Sequence, residues 1–189
     1  VERLFADRIE SGTHVSFDPE TGGVRTSSGR HLGAIALSKV ANAPATPEQI
    51  AAALIEGVRR HGLDVIDWPA SVNALRERAH WAGSDALTDA VLLDGLDLWL
   101  APLLGGKRRL SEIGGEALHA ALWNLIGWEG QQEISRLAPA HFTSPAGTTH
   151  PIDYAAEAGP TVELRVQALF GLSEHPAIGP DRIPLILSL

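Results

Sequence analysis

The sequence changes character at Thr46–Gly62, TPEQIAAALIEGVRRHG, where β-like sequence gives way to helical sequence. Thr46 is suited to cap a helix, with Pro47 in the first turn and Gln49 completing a capping box. Apolar residues then recur at helical spacing on one face, at Ile50, Leu54, Ile55 and Val58. Basic residues near the end suit the negative pole of the helix dipole, and Gly62 suits the C-terminal cap. The stretch therefore predicts an amphipathic helix.

The sequence before this helix is β-like. Polar and apolar residues alternate over His14–Phe17, turn residues fill Asp18–Gly23, and Val24–Thr26 can return antiparallel. A third apolar run, Leu32–Leu37, predicts a buried strand. Residues 41–46, which include a proline, predict a linker to the helix.

Helical periodicity continues after Gly62. Four more helices are predicted: at Pro69–Ala82, from Thr88 to the residues before Pro102, around Leu118–Ile126, and over Trp128–Leu137. Their predicted buried positions include Val72, Leu75, Ala79, Ala82, Leu92, Leu96, Trp99 and Leu100. The middle of the chain is therefore predicted to be a helical bundle of about five helices.

After Pro139 the sequence becomes β-like again. The predicted strands are His141–Thr143, Ile152–Tyr154, Thr161–Val166 and Ile183–Leu189, and Val166–Leu172 is open to a short helix instead. The fold class is therefore α+β, with β elements at both ends of the chain. The predicted domains are 1–45, 46–138 and 139–189. The most economical topology joins the first and last in one sheet.

Composition excludes several classes of site. The 189 residues are enough for a sizeable core, and the lack of Cys excludes disulfides, thiolate zinc sites and Cys nucleophiles. The sequence shows no apolar run of membrane-spanning length and no signal peptide at its start, which predicts a soluble protein, and the lack of Cys fits a cytoplasmic one. Met is absent even at position 1, which predicts that the sequence begins inside a longer reading frame or after processing.

A net charge of −8 argues against a general nucleic-acid binder, because affinity for a phosphate backbone comes mainly from Lys and Arg. RNA contact is therefore expected only from a local basic patch, and should be weak and salt-sensitive. Lys107-Arg108-Arg109 is the densest such run. One interpretation is phosphate contact. The other is that these cations satisfy the last carbonyls of the preceding helix and offset Asp94 and Asp97.

The loop Thr143–Thr149 offers backbone amides and four hydroxyl groups between two predicted strands. Such a loop can grip a nucleic-acid backbone, with Thr143, Ser144 and Thr148 as candidate contacts, or it can be a plain polar hairpin. Base stacking also needs exposed aromatic residues. Phe17 and Phe142 are predicted to point into the core, and Tyr154 and Phe170 are the other aromatic candidates in β or loop regions.

The chain has no recognisable catalytic motif. Gly105–Arg108 resembles a phosphate loop only superficially, because Ala101 replaces its first glycine and Arg108 its magnesium-binding hydroxyl residue. A metal set of His141, His150 and Asp153 is conceivable, but its spacing matches no compact motif. No catalytic residue and no metal ligand is therefore predicted. The five tryptophans of the helical middle predict core or interdomain packing, or a docking surface.

Four strings occur in a fixed order: VSFDPETGGVRTSSGRHLGAIALS (Val15–Ser38), WLAPLLGGKRRL (Trp99–Leu110), LAPAHFTSPAGTTHPIDY (Leu137–Tyr154) and LRVQALFGLSEHPAIGPDRIPLILSL (Leu164–Leu189). Their order and spacing resemble the C-terminal part of the bacterial ATP-dependent RNA helicases of the HrpB type, in the DEAH-box class. The resemblance implies that the β elements at both ends belong to an oligonucleotide/oligosaccharide-binding (OB)-like region and its extension.

The same resemblance implies an accessory role in a larger polypeptide. This chain would assist the binding of single-stranded RNA and pack on the upstream helicase domains, with no catalysis of its own. ATP and magnesium would be bound only by those upstream domains. The alternative is a protein–protein interaction module, and a hydrolase with a His/Asp metal site is a third hypothesis.

Overall fold

The computed structural model describes residues 9–32 and 35–189, which divide into two compact units. The first contains the described residues up to Asp67 and Gly95–Gly114, and the second contains Trp68–Asp94 and Gly115–Leu189. The architecture is mixed, with strands at both ends and helices between them, as expected for an α+β chain. The domain boundaries at residues 45 and 138 stay a prediction. None of the helices in the described residues is long and apolar enough to cross a membrane.

The first unit contains a three-stranded antiparallel sheet. Its strands are β1 (Ile9–Asp18), β2 (Gly23–Leu32) and β3 (Ile35–Ala41), in the order β1-β2-β3. The hairpin of β1 and β2 turns at the predicted turn residues, and the two strands pair from Ile9↔Leu32 to Asp18↔Gly23 without a shift. The predicted third strand is displaced towards the C-terminus.

The acidic side chain of Asp18 holds the hairpin turn. It accepts hydrogen bonds from Thr21 Oγ1 at 2.9 Å and from Arg25 Nη2 at 2.7 Å. The hydrogen bond from Arg25 is the largest of the interactions that hold the pKa of Asp18 below its usual value.

Helix α1 (Pro47–His61) forms as the sequence predicts. Gln49 N donates to Thr46 Oγ1 at 3.2 Å and Thr46 N donates to Gln49 Oε1 at 3.0 Å, so the capping box is confirmed. The predicted apolar face is buried. Gly62 follows with a positive φ of 84°, a conformation that favours glycine. Helix α1 packs on β1.

The helix predicted to run from Thr88 towards Pro102 is broken. Helix α3 (Asp89–Asp94) ends before Gly95 and α4 (Leu96–Trp99) begins after it, so the prediction of one continuous helix is wrong. Glycine is a weak helix former, and here it has φ −91° and ψ 14°. The predicted apolar stripe is nonetheless buried at every position, Leu92, Leu96, Trp99 and Leu100. Two short 3-10 helices follow, Ala101–Leu104 and Leu110–Glu112.

In the second unit, α2 (Ala70–Trp81) packs on α5 (Gly115–Leu137). Non-helical Gly127, with φ 73°, divides α5 at the boundary between the two predicted helices. Gln131 Nε2 donates to Trp123 O at 2.7 Å, which satisfies a carbonyl close to this break. The core positions predicted for the second helix, Val72, Leu75, Ala79 and Ala82, are all buried.

The C-terminal strands of the second unit form sheets of their own. Strands β4 (His141–Thr143), β5 (Thr149–Asp153), β6 (Thr161–Glu163) and β9 (Ile186–Ser188) form a sheet in that order, and β7 (Ala177–Ile178) pairs with β8 (Ile183–Pro184). A 3-10 helix, Val166–Leu169, follows β6. None of these strands pairs with β1–β3 among the described residues, so the expectation of one shared sheet is wrong. Instead these strands pair with one another, and β6 takes β9 as a parallel neighbour.

Candidate nucleic-acid interface

The basic run Lys107–Arg109 lies in the first unit, between the 3-10 helices Ala101–Leu104 and Leu110–Glu112. Its backbone is fastened to the end of the β1–β2 hairpin. Val24 N donates to Arg108 O at 3.1 Å, and Leu110 N donates to Gly22 O at 2.8 Å. Arg109 also forms an antiparallel bridge with Gly23. The run therefore has a backbone position set by a neighbouring strand.

Glycine is needed at position 23 for this approach. A Cβ atom there would lie 2.9 Å from Arg109 Cγ and 3.3 Å from Arg108 O. Both distances are shorter than ordinary contacts of a methyl group, so a larger residue would push the basic run away from the hairpin. The absence of a side chain at Gly23 thus allows the basic run to lie against the hairpin.

The cationic side chains of the run have no carboxylate partner among the residues whose side chains are described. Asp97 pairs instead with Arg59, at 3.4 Å. Glu112 Oε2 accepts from the backbone N of Arg108, at 3.1 Å, rather than from its guanidinium. Arg108 and Arg109 are exposed and Lys107 is half-buried. No ion pair joins the run to Asp97 among the described side chains, and both interpretations of the run stay predictions.

The hydroxyl loop, Thr143–Thr149, joins β4 to β5 in the second unit. Ser144 N donates to Thr148 O at 2.8 Å, and Gly147 N donates to Ser144 O at 2.9 Å. Ser144 is buried, whereas Thr143 and Thr148 are exposed. Ser144 Oγ and Thr148 Oγ1 lie 2.8 Å apart, so Ser144 supports the loop from within. Of the three predicted contacts, only the two threonines are exposed, and Thr148 Oγ1 is already hydrogen-bonded within the loop.

The predicted contacts form two groups. The basic run belongs to the first compact unit, and the hydroxyl loop belongs to the second. Each group is held together locally by backbone hydrogen bonds. The two candidate sites predicted from the sequence thus belong to different compact units.

A cavity of about 730 Å³ lies beside the hydroxyl loop. Thr148 and His150 line it on the loop side. The other side carries Glu163, Arg165 and Gln167, which follow one another at alternate positions from the end of β6. These three residues were not singled out by the sequence analysis. The sequence signal that could have identified them is the alternation of polar and apolar residues at the start of the Val166–Leu172 segment.

The hypothetical metal set is not assembled. His141 and Asp153 line a separate cavity of about 970 Å³ along α2, while His150 lines the cavity beside the hydroxyl loop. His141 pairs with Pro151 and Phe142 pairs with His150 across β4 and β5, and successive residues of a strand point to opposite faces. The described residues contain no group of three or more His, Cys, Asp or Glu side chains placed to hold a metal ion.

Tyr154 is unsuitable as a stacking platform, because its side chain is only 4% exposed. Its hydroxyl donates to Pro139 O at 2.7 Å, and Trp81 Nε1 donates to Tyr154 O at 3.1 Å. Burial raises the pKa of the phenol to about 12. Phe17 and Phe142 are half-buried, and Phe170 is exposed. Phe170 is therefore the remaining aromatic candidate among those four.

The sequence and the fold both match known proteins. Residues 99–189 match the ATP-dependent helicase C-terminal family, HrpB_C. ATP-dependent RNA helicase HrpB of Escherichia coli (strain K12) is 29% identical over 188 residues, which cover 96% of this chain. The resemblance to the C-terminal region of the HrpB type is confirmed.

Two crystal structures of HrpB from E. coli support the same relationship. One, described as a DExH-box NTPase, matches with a TM-score of 0.70 and 27% identity, covering 98% of this chain and 24% of that one. The other, described as a DEAH/RHA helicase, matches with a TM-score of 0.70 and 28% identity, covering 95% of this chain and 24% of that one.

This chain spans about a quarter of the length of the HrpB proteins it matches, 23% of the curated sequence. The segment that matches the HrpB-type C-terminal family contains both Lys107–Arg109 and the hydroxyl loop. The β1–β3 sheet precedes that segment and is covered by the longer matches.

Proposed function

We propose that this chain is the accessory C-terminal region of an ATP-dependent RNA helicase. It helps to hold single-stranded RNA and packs on the upstream helicase domains of the same cytoplasmic polypeptide, and it catalyses no reaction itself. The similarity covers 96% of this chain but only 23% of HrpB, which supports an accessory role beside the other domains of a helicase. ATP and magnesium are bound by the upstream domains.

The observation that carries RNA binding is the position of Lys107–Arg109. Its backbone is held at the hairpin by the hydrogen bonds of Arg108 and Leu110, while the guanidinium groups of Arg108 and Arg109 are exposed. Cations on a fixed backbone bind phosphates without first having to order the chain. In contrast, Arg25 on the same hairpin is already paired with Asp18. The basic run is thus suited to contact an RNA backbone.

The surrounding sheet fits the same role. Strands β1–β3 form an antiparallel meander, and the basic run adds to the end of its first hairpin. We assign this meander to an OB-like region, in which strands and loops hold single-stranded nucleic acid. The exposed Thr143 and Thr148 of the hydroxyl loop supply a second set of phosphate contacts.

A salt titration of RNA binding tests this function. Replacing Lys107, Arg108 and Arg109 with Gln in the 189-residue chain should weaken single-stranded RNA binding at low salt. It should also make the plot of log association constant against log salt concentration less steep by about two, since each cation that contacts a single strand contributes roughly 0.7 to the slope. Base preference should not change, because phosphate contacts carry no base information.

A matched control removes the same charge elsewhere. Arg59, Arg60 and Arg182 are surface cations already paired with Glu56 or Glu174. Replacing these three with Gln should leave the salt slope nearly unchanged. An equal loss of slope in both triple variants would show that net charge, not the basic run, controls binding.

Exposed apolar side chains favour a second function, docking onto protein. Leu98 and Trp128 are 75% and 72% exposed, and tryptophan is common at the centre of protein interfaces. We assign these surfaces to contact with other domains. Undetectable RNA binding at low salt, together with salt-insensitive binding to the upstream domains, would make docking the main function.

A further inference from the structure

We propose that the cavity beside the hydroxyl loop binds one unpaired nucleobase of single-stranded RNA. This inference rests on the proposed function and names a base-binding site within it. The cavity has a volume of about 730 Å³, which lies in the range of small-molecule sites and exceeds what a phosphate group alone would fill. It is located in the second unit, whereas the basic run belongs to the first.

The polar side of the cavity has the groups that bind base edges. Glu163 is a hydrogen-bond acceptor, Gln167 has both a donor and an acceptor, and Arg165 between them is a cation. None of these three side chains has a hydrogen-bond or ion-pair partner among the residues whose side chains are described. Carboxylate and amide side chains are the groups that recognise exocyclic amino groups and ring nitrogens of bases.

The other walls suit the faces of a base. Ala146, Leu164 and Ala168 are small or apolar, and Leu164 is buried. An aromatic plane with polar edges fits a site whose walls are apolar and whose rim is polar. Unpaired RNA bases are bound in this way, stacked on side chains and hydrogen-bonded at their edges.

His150 supplies a stacking surface. Its Nε2 lies 2.8 Å from Thr148 Oγ1, which lies 2.8 Å from Ser144 Oγ. Because Ser144 is buried, this chain of hydrogen bonds ties the imidazole edge to the interior of the loop. An imidazole held at one edge keeps its orientation, and histidine is among the side chains on which RNA bases stack. The buried Ser144 thus positions His150 rather than contacting RNA.

The neighbouring groups can hold the attached phosphate. Arg165 is exposed and lines the cavity, and the exposed Thr143 begins the hydroxyl loop. Backbone contacts of this kind position the strand, and the cavity then selects the base. The carboxylate of Glu163 favours bases that carry an exocyclic amino group, so cytosine should bind better than uracil.

Fluorescence anisotropy with short oligocytidine and oligouridine RNAs of equal length tests the inference on the 189-residue chain. At one low salt concentration we expect oligocytidine to bind at least about fivefold more tightly, the lower limit for one well-formed base contact. In Glu163→Gln the new amide can also donate a hydrogen bond to the uracil carbonyl. The ratio of the affinities for oligocytidine and oligouridine should therefore fall to less than about half of its original value.

Two further variants distinguish base binding in the cavity from general effects of a substitution on RNA binding. Gln167→Ala should weaken oligocytidine binding without changing the salt slope. Glu157→Gln removes an exposed carboxylate that does not line the cavity, and it should leave the cytosine preference unchanged. Thermal melts of each variant establish that it is folded.

The outcomes are distinguishable. Equal affinity for both RNAs, or an unchanged preference in Glu163→Gln, would overturn the base site while leaving RNA binding by this chain in place. Absence of binding to either RNA at low salt would overturn both the base site and the proposed function. A cytosine preference that is lost in Glu163→Gln and retained in Glu157→Gln would support the site.

Discussion

The ring of Phe17 on β1 lies directly over Gly57 on α1. A Cβ atom at Gly57 would come within 2.1 Å of the ring carbon Cγ of Phe17, so only glycine permits this approach. The same ring is 5.7 Å from the imidazole of His61, between centroids. The contact between sheet and helix in the first unit therefore depends on the missing side chain at position 57.

The first prediction concerns this contact. In an exposed helix, Gly→Ala stabilises by up to about 1 kcal/mol, but here the added methyl must displace the ring. We expect Gly57→Ala to destabilise the chain by roughly 1 to 3 kcal/mol in urea unfolding, the usual cost of overpacking. In a Phe17→Ala background the same change should be neutral or stabilising. A destabilisation of equal size in both backgrounds would show that the ring is not responsible.

The second prediction compares two leucines of α4. Leu96 has no exposed surface, whereas Leu98 is 75% exposed. Leu96→Ala should lower the free energy of unfolding by roughly 2 to 5 kcal/mol, because it leaves a cavity in a packed core. Leu98→Ala should change it by no more than about 0.5 kcal/mol. Urea melts that rank the two alike would contradict the buried stripe.

The third prediction follows from the raised pKa of Tyr154, about 12 when folded against 10.0 for an unperturbed phenol. The unfolded chain ionises this group first, so stability is complete below pH 10 and falls as the pH rises towards 12. The loss approaches roughly 2 to 3 kcal/mol at most. Tyr154→Phe cannot ionise and leaves Pro139 O unpaired, so it should be less stable at pH 8 but lose less stability between pH 10 and 11.5. Parallel loss in both proteins would argue against a buried phenol.

The fourth prediction concerns acid stability at the hairpin turn. Arg25 lowers the pKa of Asp18, so the stabilising contribution of Asp18 is present above the unfolded pKa and is lost as the pH falls through the lower, folded value. Arg25→Gln should therefore move the midpoint of acid unfolding to higher pH. Arg60→Gln is a matched control, since Arg60 and Arg25 are both 71% exposed but Arg60 pairs with an exposed glutamate. An equal shift in the control would assign the effect to net charge.

Several elements could be predicted from neighbouring residues alone. The capping box of Thr46 and Gln49 needs only residues three apart, and it is present as predicted. The β1–β2 hairpin and the division of α5 at Gly127 also follow local turn and glycine signals. The predicted apolar positions Leu92, Leu96, Trp99 and Leu100 are all buried, although the helix is broken at Gly95.

Other features depended on which distant segments meet. The sequence made Tyr154 a candidate for stacking on bases. In the structure Tyr154 is buried, its hydroxyl donates to Pro139 O, and its carbonyl oxygen accepts from Trp81 Nε1. One of the two partners of β6 is β9, more than twenty residues later, and the sequence of neither strand predicted this pairing. The cavity likewise needs the hydroxyl loop and the Glu163–Ala168 segment side by side.

The sequence by itself therefore determined the caps, the turns, the apolar faces and the resemblance to the HrpB type. These depend on residues a few positions apart or on the order of four sequence strings along the chain. Only the tertiary structure decided that Arg108 and Arg109 lack carboxylate partners among the described side chains, that Ser144 is buried, and that Glu163, Arg165 and Gln167 share a cavity. Burial and pairing are properties of the assembled chain, because each requires surfaces contributed by segments that are far apart in sequence.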